Sequence, residues 1–307
     1  MLAMVLQYPH LGDTATDDWS PGLEFAGRLH NGRRIMGFIP CRGLATTVAV
    51  DTNLIWDVPD DWTLEEASTV PVAYATAYYA LVMRGRLQRG EKVLIHSGSG
   101  GVGQAAISIA LHFGCEVFTS VGTKKKREFL KERFPSLQDK HFCYSRDLSF
   151  EKHILNETNG EGVDVILNSL AEEKLKTSLN CIAQNGRFLE IGKYDFSNNT
   201  MMGMEVFLKN ISFQGILLDT LFGNKGSNID SKKELVQLIY DGIANGFVRP
   251  LSSIVFDFKE AESAFRYMAS GKHIGKVILK QTTNCENFHQ VPVSSRLNWK
   301  STRLYLS

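Results

Sequence analysis

Three glycines, Gly98, Gly100 and Gly103, stand at GxGxxG spacing within His96-Ser97-Gly98-Ser99-Gly100-Gly101-Val102-Gly103. A continuous apolar run, Val93-Leu94-Ile95, precedes them, and Val102, Ala106, Ile109 and Phe113 follow at helical spacing. Strand, glycine loop and helix in that order form the context in which such a loop cradles the pyrophosphate of a dinucleotide. Gly98 permits the tight turn, Gly100 lets the backbone approach the pyrophosphate, and Gly103 lets the helix pack close to the strand. Ser97, Ser99, Gly101 and Val102 complete the cradle, where the helix start offers free N–H groups and a partial positive charge.

The strand that follows ends in Ser120-Val121-Gly122-Thr123, where a NAD site usually carries an acidic residue for the ribose hydroxyls. No Asp or Glu appears until Glu128; the chain continues Lys124-Lys125-Lys126-Arg127. Cations at a helix N-terminus oppose its dipole, so this run gains from a bound anion. The 2′-phosphate of NADPH is the expected one, with Lys126 as main contact, Thr123 beside it and Arg146 as a second candidate in a later loop. A solvated basic face is the competing reading.

The elements that must position these residues follow from pattern. Residues 24–54 read as short strands broken by turns, with β-branched 46–50 strand-like and 56–63 a turn-rich connector. Thr63 is a plausible N-cap with Glu65 and Glu66 in the first turn, and a second helix follows Pro71. Strand candidates at 93–95, 116–121, 163–167, 188–191 and 211–217 alternate with helices or long loops, among them 124–134, stopped by Pro135. Such alternation predicts a Rossmann-type, doubly wound parallel sheet in an α/β fold. A helix at 232–244 follows, then strands at 254–256 and 277–279 flanking a helix at 260–268.

Composition bounds the class. The chain has 307 residues, 43% hydrophobic and 22% charged, with net charge +1, as in soluble globular proteins. Neither nucleic acid nor a membrane surface is indicated. No apolar run reaches the roughly 18 residues that span a bilayer, and the apolar start, residues 1–8, lacks the features of a signal peptide. Five cysteines (Cys41, Cys115, Cys143, Cys181, Cys285) are odd in number, widely spaced and without a CxxC pair; reduced thiols in a cytoplasmic protein are expected. The eight histidines show no ligand spacing, and His96 and His273 read as structural.

The loop together with Asn168-Ser169-Leu170-Ala171-Glu172-Glu173-Lys174-Leu175, Arg187-Phe188-Leu189-Glu190-Ile191-Gly192-Lys193, Phe265-Arg266-Tyr267-Met268 and Gly271-Lys272-His273-Ile274-Gly275-Lys276 resembles the enoyl reductase domain of animal type I fatty acid synthase. Gly22-Leu23-Glu24-Phe25-Ala26-Gly27 is similar to it as well. The resemblance covers residues 22–279 and implies a zinc-free, quinone-oxidoreductase-like medium-chain dehydrogenase/reductase. It implies a partial GroES-like substrate domain with connecting helices at 1–86, an NADPH-binding domain at 87–245, a return to the substrate domain at 246–280, and a tail of unknown order at 281–307. Residues 1–21 and 281–307 lack the likeness, so a truncated chain with a shortened substrate lobe is one expectation.

The resemblance further implies NADPH as hydride donor, an enoyl thioester on acyl carrier protein as substrate, other fatty acid synthase domains as partners, and a homodimer through the edge strand at 211–217. No metal is expected, since only Cys41 precedes Cys115 where zinc relatives carry clustered ligands. Lys193 and Asp219, each just beyond a strand, match positions near the nicotinamide. Lys193 is the expected proton donor or enolate-polarising group, and Asp219 its orienting partner; a loop ion pair with water as donor is the alternative. Thr76, Asn168 and Gly192 are further cofactor contacts, whereas Tyr74, Tyr78 and Tyr79 read as core. Competing readings are a free-standing quinone or enone reductase, a polyketide synthase reductase, and a non-catalytic NADPH-binding fragment.

Overall fold

The structure is a computed structural model and describes residues 22–40, 43–222 and 227–281. The apolar start, Cys41, Cys285 and the tail beyond Gln281 lie outside the described residues.

Six parallel strands form the main sheet: β4 (Lys92–Ile95), β5 (Glu116–Val121), β6 (Phe142–Tyr144), β7 (Val163–Asn168), β8 (Ile182–Glu190) and β9 (Ser212–Gly215). Their spatial order is β6-β5-β4-β7-β8-β9. The chain thus begins at the centre, winds outward to β6, returns to β7 beside β4, and winds out the other way. This is the doubly wound α/β arrangement expected from the alternation, with its switch point between β4 and β7.

Side chains alternate across the strands, so each strand feeds two cores. On one face Val93 and Ile95, Val165 and Leu167, and Leu189 pack with Ala105, Ala106 and Ile109 of the helix Gly101–His112 and with Tyr74 and Tyr78 of the helix Pro71–Tyr78. On the other, Leu94, Ile166 and Phe188 pack with Phe150 and Ile154 of the helix Ser149–Glu157 and with Leu175 and Leu179 of the helix Glu173–Asn180. Burial on both faces explains why the strands read as continuous apolar runs.

Beside this layer lies an antiparallel sheet of β1 (Glu24–Arg28), β2 (Arg34–Phe38) and β3 (Ile55–Asp57), in that order. A parallel pair, β10 (Ser253–Asp257) and β11 (Lys276–Lys280), is joined by the helix Ala261–Ala269. Thr63 caps the helix Leu64–Ala67 in a full capping box with Glu66, as its position suggested.

Two sequence expectations are corrected here. Residues 46–50 are not a strand but bends and coil; β2 is already flanked by β1 and β3, and β-branched residues make a strand only where a neighbour supplies the ladder. Residues 55–57, read as part of a turn-rich connector, form β3, because Trp56 is fully buried and its indole N–H donates to the Val236 carbonyl at 3.1 Å. In addition, β8 starts six residues earlier than the apolar run at 188–191 suggested, its polar first half being exposed at Gln184 and Asn185.

Candidate active site

The carboxyl ends of β4 and β7 meet at the switch point, where the Ser169 hydroxyl donates to Ser97 Oγ at 3.2 Å. Ser97 has φ +57°, in the left-handed region that non-glycine residues avoid; such local strain clusters at ligand-binding loops. Its N–H donates to Ser120 Oγ at 3.2 Å, and the Gly98 N–H donates to the Ser120 carbonyl at 3.1 Å, so β5 holds the turn from below.

The three glycines differ in what surrounds them. A Cβ on Gly98 would fall 2.0 Å from Thr119 Oγ1, and one on Gly103 would fall 2.5 Å from the Ser97 carbonyl oxygen. Both positions serve close packing of loop, strand and helix. A Cβ on Gly100 would meet only the Ser97 carbonyl oxygen, at 3.3 Å, so its outer side is open to a ligand. Gly100 is the N-cap of the helix Gly101–His112 and brings no side chain to the first-turn N–H groups. Those donors are available to an anion.

The basic run resolves into separate fates. Lys124 is exposed and pairs with Glu128, and Arg127 turns to Asp139. Lys126 alone of the four turns toward the later chain, its ammonium donating to the Gly271 carbonyl at 2.7 Å. Burial, and then the Arg146 guanidinium, depress its pKa. Arg146 is exposed and donates to the Gly122 carbonyl at 3.4 Å. Thr123 is the N-cap of the helix Lys124–Arg133, its hydroxyl accepting from the Lys126 N–H at 3.3 Å. Two like charges thus converge beside the end of β5, an arrangement that an anion would relieve.

A cleft of about 1670 Å³ opens beside the start of the helix Gly101–His112 and reaches the carboxyl ends of β8 and β9. Thr76, Gly101, Val102, Lys193 and Asp219 line it. Lys193 follows β8, Asp219 follows β9, and the ammonium donates to the Asp219 carboxylate in an ion pair whose side chains are 16% and 26% exposed. Twenty-six residues apart in sequence, they are brought together because β8 and β9 are neighbours in register, Glu190 opposite Gly215.

Asn168 departs from its expected role as a cofactor contact. Its side chain is fully buried, donating to the Leu170 carbonyl at 2.7 Å and to Glu190 Oε2 at 2.5 Å. Every amide hydrogen bond it makes points into the protein, because its strand position faces the core under the loop. Gly192 donates its N–H to Glu190 Oε1 at 2.6 Å. Tyr74, Tyr78 and Tyr79 are buried, as core residues would be. His96 is buried between Ser120 and Ser178, and burial pushes its pKa down to about 3. Cys115, Cys143 and Cys181 are buried free thiols, pushed up to about 11, 12 and 12 by burial.

Sequence reasoning passed over two groups. Glu24 and Lys276 form a half-buried ion pair across the cleft, and the Glu24 carboxylate also accepts from the Val72 N–H at 3.0 Å. Glu190 is a fully buried carboxyl, and an acidic residue ending an apolar strand run is the signal that marks it.

Residues 138–279 match the family model described as zinc-binding dehydrogenase. Among the described residues no group of three or more His, Cys, Asp or Glu side chains comes together to hold a metal ion, so the described residues assemble no zinc site. Highly reducing polyketide synthase poxF of Penicillium oxalicum is 39% identical over 86% of this chain, and highly reducing polyketide synthase ZEA2 of Gibberella zeae is 40% identical over 85%. The chain spans 11% of the length of each. Among solved structures, the CurK enoyl reductase matches with TM-score 0.78 and 31% identity, over 91% of this chain and 84% of that one. The glycine loop, the doubly wound sheet and this likeness agree: the chain belongs to the enoyl reductases of the medium-chain dehydrogenase/reductase superfamily.

Proposed function

We propose that the chain reduces the 2,3 double bond of an enoyl thioester carried on acyl carrier protein, with NADPH as the reductant. The observation that carries this reading is the Lys193–Asp219 ion pair, seated at the carboxyl ends of β8 and β9 in the same cleft as the glycine loop. Ligands of open α/β sheets bind in that crevice.

The open side of Gly100 and the uncapped first turn fit a pyrophosphate, with Ser97, Ser99, Gly101 and Val102 around it. Lys126 and Arg146, backed by Thr123, would take a 2′-phosphate and so favour the phosphorylated dinucleotide. Thr76 lines the cleft on the nicotinamide side in this reading. A bound nicotinamide dinucleotide supplies the hydride for Cβ.

The chain's own groups would do the rest. Reduction builds negative charge on the thioester oxygen and leaves Cα in need of a proton. Lys193 holds a proton at Nζ and can stabilise that charge or protonate Cα, and Asp219 fixes the direction of the ammonium. Water delivering the proton beside a merely structural pair is the reading that mutation must separate.

The relatives reported above are polyketide synthases, so we place the chain in a polyketide-type assembly rather than a fatty acid synthase, with carrier and other synthase domains as partners. We further propose domain limits at 1–86, 87–245 and 246–280 with a tail at 281–307, a cytoplasmic location and a dimer through the edge strand β9. No helix among the described residues is long and apolar enough to cross a membrane.

Oxidation of NADPH in the presence of a crotonyl thioester tests the reading. Turnover with NADPH well above that with NADH, and above that with a free quinone, is the expected result. NADPH binding without turnover on any enoyl thioester would overturn it.

A further inference from the structure

A chain of buried polar groups runs beneath the cleft, and the reaction as described leaves it unused. Ser97 N–H donates to Ser120 Oγ at 3.2 Å, and Ser120 Oγ lies 2.9 Å from His96 Nδ1. His96 Nε2 lies 3.0 Å from Ser178 Oγ. Ser178 has a single hydroxyl proton, and the Lys174 carbonyl at 2.7 Å takes it in preference to Asn168 Oδ1 at 3.4 Å. The ring Nε2 must then be the donor, which agrees with a histidine kept neutral by burial. That series ends at Ser178; beside it Asn168 Nδ2 donates to Glu190 Oε2 at 2.5 Å.

Glu190 reaches the reactive loops. Its second carboxyl oxygen accepts the Gly192 N–H at 2.6 Å, one residue before Lys193. Its backbone carbonyl accepts the Ile216 N–H at 2.8 Å, three residues before Asp219. One residue therefore ties down both segments that carry the ion pair. A carboxylate there is expensive, since buried charges are disfavoured without full pairing. A leucine would fill the same space at less cost, but it would leave the Gly192 N–H and the Asn168 amide without an acceptor.

We infer that Glu190 is a positioning residue for the proposed reduction, its carboxylate holding the Gly192–Lys193 turn so that the Lys193 ammonium meets Asp219 and substrate in register. The inference rests on the reading of Lys193 and Asp219 given above. Only the ionised carboxyl accepts from both Asn168 and Gly192; protonation turns one acceptor into a donor facing an N–H group. Burial raises the carboxyl to about 8, the Asn168 and Gly192 hydrogen bonds oppose that rise, and the Asp195 carboxylate adds to it. Asp195 sits on the short helix Tyr194–Ser197, while His96, across β4 and β7, is neutral and the Lys193–Asp219 pair is neutral as a unit. Turnover is thus set to rise with pH as Glu190 ionises.

Two readouts test this on the whole chain. In the first, the Gly192 amide resonance of glycine-labelled protein is followed with pH. It should move with a midpoint near 8 in the wild type and stay fixed in Glu190→Gln. In the second, NADPH oxidation with a crotonyl thioester is followed over the same range. The wild-type kcat should rise about tenfold through that midpoint, while Glu190→Gln stays at the low plateau with little change in NADPH affinity. Asn168→Ala, which removes one donor to the carboxylate, should carry both midpoints to higher pH. A Gly192 resonance that does not titrate, or a Glu190→Gln profile that rises like the wild type, overturns the inference. A Gly192 resonance that titrates in a protein without enoyl turnover upholds the link from Glu190 to the turn and defeats the functional reading instead.

Discussion

Beside the end of β5 Lys126 and Arg146 approach as like charges, and among the described residues neither has a carboxylate partner. Beyond the ends of β8 and β9, in the cleft, Lys193 is held by Asp219. The first pair repels and is relieved only by an anion that arrives from outside, so its energy is available for affinity and for choice between phosphorylated and unphosphorylated ligands. The second pair is satisfied before any ligand binds, so it contributes little to affinity and keeps a proton and a charge in fixed geometry. Lysines of one domain thus do different work according to whether the fold supplies their counter-charge.

The sharpest way to break this contrast is to remove the reactive cation. Lys193→Ala should lower kcat about a hundredfold with NADPH affinity nearly unchanged, within the range that general acid catalysis supplies; steady-state kinetics beside dinucleotide titration would check it. Unchanged turnover would hand the proton to water.

The reverse pattern is expected beside β5. Lys126→Ala should weaken NADPH binding about tenfold, leave NADH binding unchanged and hardly alter kcat, as loss of one charge-assisted contact implies. Titration of both dinucleotides would show whether the preference collapses.

The reactive end also carries an internal cost that pH exposes. The Glu190 carboxyl is raised from its ordinary value of 4.5 to about 8 by burial. Its contribution to stability is full below about 4.5 and is lost as pH rises through about 8, since the folded state binds the extra proton in that window. Thermal melts should therefore fall more steeply between those limits for the wild type than for Glu190→Gln, by several degrees. The smallest effect belongs to the helix that presents Lys126. Thr123→Ala removes its N-cap and should cost about 1 kcal/mol in denaturant unfolding, with a slight loss in NADPH preference.

Much of this was legible in the chain. The apolar runs at 93–95 and 165–167 announced strands buried on both faces because every residue in them is covered. The glycine spacing carried the loop because its turn and its close packing exclude a Cβ at Gly98 and Gly103. The small antiparallel sheet was read less well. Residues 46–50 have strand composition without a partner, and 55–57 have a turn-like neighbourhood with one. Pairing between distant segments decides strand formation there, and pairing is invisible to a local window.

The site divides along the same line. Residue type and order pointed to the cradle and the cationic run, and the family resemblance to the two candidate groups beyond strands β8 and β9. The sequence offered four cations at 124–127 with Lys126 foremost, and the tertiary structure sets the ammonium of Lys126 against the Gly271 carbonyl while Arg127 turns to Asp139. It offered Asn168 as a ligand, and the direction of the strand turned it inward to Glu190. Local chemistry fixes which groups a chain possesses. Which of them face solvent, each other or the core depends on strand order and register, which join residues far apart in sequence.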